Sequence, residues 1–130
     1  MNKKQHIDKK HQKVILTCIL VVYAMIMVIG AIIPNPQDVP VFSGNTKYFH
    51  FFGFIVLSVI AFKTFELYKF KYKKTLSSIV LIIFIITTEV LQLAVKTRHF
   101  SYGDKLIDAA GCVIGFFIYI IYKMISEHTR

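Results

Sequence analysis

Two carboxylates of this chain lie inside stretches that are otherwise apolar. Glu89 follows the run LIIFIITT that starts at Leu81, and Asp108 stands near the head of the run that ends at Tyr122. An ionised carboxylate at the centre of a bilayer costs roughly 2.5–3.5 kcal/mol, and less toward the interface, so such residues tend to have partners and a function. Five other residues have the right types to join them. Gln92 is three residues after Glu89, on the same helical face, and Asp104 is one helical turn before Asp108. His50 heads a further apolar run, and Arg98 and Ser101 lie between the runs that carry the two acids.

The chemistry open to this set is of three kinds. His50, Glu89 and Asp104 are candidates for general acid–base catalysis, with His50 as base and Glu89 orienting it or acting as acid. His50 with Glu89, Asp104 and Asp108 would also make an oxygen–nitrogen set for a metal ion, although neither a metal nor a cofactor is expected. The third kind is binding. Arg98, with Lys96 and Lys105, could hold a phosphate, while the acids accept hydrogen bonds from hydroxyls, amides or amines. Because its planar fork engages a carboxylate at two points, Arg98 is the expected partner of Glu89 or Asp108.

Plainer readings stand beside these. Asp104 suits the start of a helix, where negative charge is favoured. His50 fits packing as well as function, and Arg98 fits a lipid phosphate. No H-E-x-x-H, G-x-S-x-G or glycine-rich phosphate loop is present. Cys18 and Cys112 fall in apolar runs without ligand spacing and read as small hydrophobes.

The elements that must position these residues are membrane helices. Hydrophobic residues make up 55% of the chain and its mean hydropathy is +0.59, too apolar for an ordinary soluble domain. A basic tail occupies residues 1–13. Four spans follow within residues 14–123, at about 14–33, 48–67, 75–95 and 106–122, and residues 124–130 form a second tail. The first run is longer than the core of a secretory signal, has no small-residue cleavage site, and ends at Pro34-Asn35-Pro36, so it reads as a retained anchor. Strands are excluded by run length and by the lack of period-2 alternation.

The net charge of +9 might suggest nucleic acid, but the basic residues sit between apolar runs and no nucleic-acid motif accompanies them. Membrane lipids are the expected partner instead, with a homo-oligomer also open. With both termini in the cytoplasm, twelve of the 16 lysines and arginines fall inside, which is the orientation the positive-inside rule selects. Glu89 then lies roughly 9 Å below the outer end of its helix. In that frame His50, Glu89, Gln92, Arg98, Ser101, Asp104 and Asp108 converge on the outward half of the bilayer, and the inner side carries only surface lysines. Gly111-x-x-x-Gly115, with Ala109 and Ala110, offers a small-residue face for close helix packing.

The ordered set Lys47-x-x-His50-Phe51, Glu89-x-x-Gln92, Arg98-x-x-Ser101-x-x-Asp104 and Gly111-x-x-x-Gly115 resembles the VanZ-like family of small bacterial membrane proteins over residues 14–123. The resemblance implies a helical protein of the bacterial cytoplasmic membrane with a role in the cell envelope and in tolerance of teicoplanin-type glycopeptides. It brings no reaction. Asp108 stands where the family usually has Asn, adding a negative charge to the expected site. Four functions are compatible with these residues. The favoured one is a non-enzymatic protein that binds the headgroup of a lipid or lipid-linked cell-wall precursor. The others are an intramembrane hydrolase or transferase on lipid-linked substrates, a proton-coupled lipid transporter, and a scaffold whose polar residues only join helices.

Overall fold

A computed structural model describes residues 3–32, 46–95 and 102–128, with side chains described for 9–32, 48–95, 103 and 105–128. All regular structure among these residues is helical: α1 (Lys3–Ile32), α2 (Thr46–Glu66), α3 (Lys73–Leu93) and α4 (Tyr102–His128). Each contains a stretch of at least 19 residues long and apolar enough to cross a membrane: Lys9–Ile32, Tyr48–Glu66, Lys73–Leu93 and Lys105–His128. Helices satisfy their backbone polar groups internally, as lipid requires. Buried hydroxyls bond the preceding turn for the same reason, Thr64 to the Ile60 carbonyl at 2.7 Å, Ser77 to Lys73 at 2.9 Å and Thr88 to Ile85 at 2.9 Å.

The largest differences from the expected boundaries are in the first and fourth helices. The basic N-terminal segment is helical from Lys3, because neither glycine nor proline interrupts the chain before Gly30. The fourth helix begins at Tyr102 rather than near Leu106 and runs on to His128, taking in Asp104, Lys105 and most of the expected tail. α1 ends just ahead of Pro34, which disfavours helix at the residue before it. A tight connection of bends and turns joins α2 to α3, with the Leu67 amide bonded to the Thr64 carbonyl at 3.1 Å.

α2 is the central helix. Inside the bundle, 44% of its span is buried, against 17% for each of the other three. Met27, Phe54, Leu57, Ala61, Phe62, Leu81 and Tyr119 form the core. The opposite faces of the outer helices, including Ile15 and Ile29 of α1, Ile83 and Ile86 of α3 and Phe117 and Ile121 of α4, are exposed and apolar, as suits contact with lipid.

The tightest contact is α2 against α4, and its cause is the small-residue face. A Cβ at Gly111 would stand 2.7 Å from the Phe51 carbonyl oxygen, and one at Gly115 would stand 2.5 Å from the Ile55 carbonyl oxygen. Only glycine admits backbones so close. Ser58 completes the seam by donating to the Cys112 carbonyl at 2.9 Å.

Candidate functional site

The start of α2, the end of α3 and the start of α4 share one end of the bundle, here called distal; the chain termini lie at the other, proximal end. Glu89 is four residues before the end of α3, and Lys105 is three residues after the start of α4, so the two are level. The Lys105 ammonium and the Glu89 carboxylate form an ion pair, partly buried at both partners. It is this pair that answers the cost of an acid in a membrane helix.

A second acid–base contact lies beside it. His50 and Asp108 are each 8% exposed, and Nδ1 of His50 is 3.6 Å from Oδ1 of Asp108. At that separation the two attract if the imidazole is protonated. Aromatic rings hold the imidazole in place. Phe54, from the next turn of α2, stacks on it at 6.4 Å and Phe49 meets it edge-on at 6.1 Å. Phe54 is itself fully buried and packs against Phe84 of α3, so the position of His50 is tied to the core. Asp108 lies one turn before Gly111-x-x-x-Gly115's close approach to α2, so the same glycine seam that joins the helices brings Asp108 to His50.

Of the seven expected site residues, His50 and Asp108 therefore meet each other, and Glu89 lies toward the same end in a separate pair with Lys105. Gln92 is half-buried one turn further along α3 and belongs to neither pair. Asp104 is in the first turn of α4, and its side chain is outside the described residues, as are Arg98 and Ser101 altogether. The expected pairing through Arg98 lies outside the described residues; among those described, Glu89 pairs with Lys105 and Asp108 with His50. Lys105 was assigned to the loop because α4 was expected to start at Leu106. The helix start at Tyr102 lifts it onto the face of α4 that meets α3.

The proximal end also holds a polar cluster, where only surface lysines were expected. Glu66, at the end of α2, pairs with Lys123 of α4 at 2.5 Å and accepts a hydrogen bond from the hydroxyl of Tyr119, which is buried. Lys73 donates to the Glu66 carbonyl at 3.2 Å, and Lys63 lies 4.7 Å from the centre of the Tyr122 ring. Helical spacing could have found the Tyr119–Lys123 face, but not that Glu66 turns toward it. This cluster ties α2 to α4 at one end as the glycine seam does along their middle.

Among the described residues, no group of three or more His, Cys, Asp or Glu side chains is gathered closely enough to hold a metal ion. The distal arrangement can exchange protons through His50 and offers a cation and two acids to a polar ligand. A family model described as VanZ/LLP1 matches residues 5–123, nearly the whole chain. No curated protein and no solved structure matches it.

Proposed function

The chain belongs to the VanZ/LLP1 family, and on that premise we propose that it is a bacterial cell-envelope protein whose distal end faces outward and binds the polar headgroup of a membrane lipid or lipid-linked cell-wall precursor. The observation that carries this reading is the presence of two acid–base contacts from three membrane helices, His50–Asp108 and Glu89–Lys105, toward one end of the bundle. Polar groups so costly in lipid are retained where a ligand uses them. A phosphate competes with Glu89 for Lys105, and the carboxylate it displaces accepts from the hydroxyls or amides of the same headgroup. Such binding changes what a glycopeptide drug meets at the membrane surface, which links the site to teicoplanin-type tolerance.

The test is drug susceptibility in a Gram-positive host lacking the protein, with wild type, Glu89→Gln and His50→Gln at matched membrane levels. Wild type is expected to raise tolerance of teicoplanin more than of vancomycin, and both variants to lose the gain. Unchanged tolerance in the variants would overturn the assignment of the site.

The His50–Asp108 contact favours a second reading, an enzyme in which Asp108 orients His50 as a base toward a lipid-linked substrate. Turnover of a radiolabelled lipid-linked precursor by purified protein, abolished in His50→Gln, would select it. Retention of the precursor without turnover would select binding.

A further inference from the structure

Below the Glu89–Lys105 pair, α3 and α4 separate and leave an apolar groove of about 270 Å³ between them, floored by Phe62 of α2. Its walls continue the two stripes that carry the pair. On α3, Ile85, Ile82 and Ser78 lie four, seven and eleven residues before Glu89; on α4, Ala109, Val113 and Phe116 lie four, eight and eleven residues after Lys105. These are the spacings of a single helical face, so ion pair and groove form one continuous feature. Ile82 and Val113 are more than half exposed, so the groove opens sideways out of the bundle.

Its dimensions indicate what fills it. The lining runs from Ser78 to Ile85 and from Ala109 to Phe116, roughly 10 Å of helix and about a third of a hydrocarbon core about 30 Å thick. Spread over that length, the volume amounts to a channel about 5 Å wide, a little over the contact spacing between carbon atoms and enough for a single hydrocarbon chain. The polar pair stands where the head of such a chain would emerge. We infer that the α3–α4 groove seats one hydrocarbon chain of a membrane lipid from the leaflet at the distal end, with that lipid's headgroup at Glu89 and Lys105. The inference deepens the headgroup reading above by adding the tail, and it commits to a lipid chain rather than to a helix of a second copy.

The experiment uses full-length protein in phosphatidylcholine vesicles containing a phosphatidylglycerol with a diazirine halfway along one acyl chain. After irradiation, labelled residues are mapped by peptide mass spectrometry. Val21 and Val22 of α1 are the controls, since they are similarly exposed and lie at similar depth. Ile82 and Val113 are expected to take up label several-fold more than these controls. Ala109→Phe, which fills the groove from an exposed position, is expected to bring them down to the control level, while a matched Ala110→Phe leaves the enrichment intact. Equal labelling of groove and controls in wild type would overturn the inference, as would enrichment that survives Ala109→Phe. In a background without Cys18 and Cys112, a disulfide-linked dimer formed on mild oxidation of Val113→Cys, with no lipid adducts at Ile82, would assign the groove to a second copy and overturn it too. The two readings fail separately. Absent groove labelling with tolerance still lost in Glu89→Gln removes the tail site and keeps the headgroup site; the reverse pattern does the opposite.

Discussion

Glu89 and Lys105 illustrate how a membrane interior prices single charges against pairs. Removing Lys105 leaves a carboxylate without its cation in a low-dielectric setting, whereas removing both charges leaves nothing to compensate. Lys105→Met is therefore expected to destabilise the bundle by about 1–3 kcal/mol, the lower part of the range reflecting the partial exposure of the pair. Glu89→Gln combined with Lys105→Met is expected to regain most of that loss. A double-mutant cycle on unfolding in mixed micelles measures the coupling, and additive effects would show that the pair is not an energetic unit. The same logic applies to Asp108: His50, 3.6 Å away, supplies the compensating charge when protonated.

The contact between α2 and α4 rests on the absence of two side chains. At Gly115 a Cβ would meet the Ile55 carbonyl oxygen at 2.5 Å and the Ser58 Cβ at 2.6 Å, neither of which can move without displacing α2. Gly115→Val is expected to cost about 1–3 kcal/mol or more through overpacking, and to weaken the His50–Asp108 contact that the seam aligns. Gly53 is the control. Its added Cβ would meet the Sδ and Cε atoms of Met27 at 2.6 and 2.7 Å, the mobile end of an unbranched side chain that can swing aside. Gly53→Ala is expected to cost less than Gly115→Val in the same unfolding assay, and equal costs would remove the distinction between rigid and yielding neighbours.

Four helices place the start of α1 and the end of α4 at the same end of the bundle, and lysines concentrate there. Lys9, Lys10 and Lys13 of α1, Lys69 and Lys71 of the α2–α3 connection and Lys123 of α4 are the charges on which the proposed cytoplasmic placement of the proximal end rests under the positive-inside rule. In a background without Cys18 and Cys112, Gly103→Cys is expected to react with a membrane-impermeant maleimide on intact cells, and Lys69→Cys only after lysis. The opposite pattern would put the distal site in the cytoplasm and remove it from contact with envelope drugs. The Glu66–Lys123 pair holds α2 on α4 at the proximal end.

Helix number, approximate spans, the small-residue face of α4 and the unusual status of Glu89 and Asp108 were all legible in the residues, because hydropathy and helical period are local properties of the chain. The VanZ-like resemblance was legible for a related reason: its motifs are short and keep their order. Partner choice was not. Lys105 takes Glu89 and His50 takes Asp108, pairings that depend on where α4 starts and how it rotates against α2 and α3. The same holds for Glu66, whose meeting with Tyr119 and Lys123 joins residues more than fifty apart in sequence. It holds again for the α3–α4 groove, which exists because α4 packs closely on α2 through Gly111 and Gly115 and leaves α3 standing off. Local pattern set which residues needed company in the membrane; helix crossing and rotation, which are properties of the packed bundle, decided the company each one keeps.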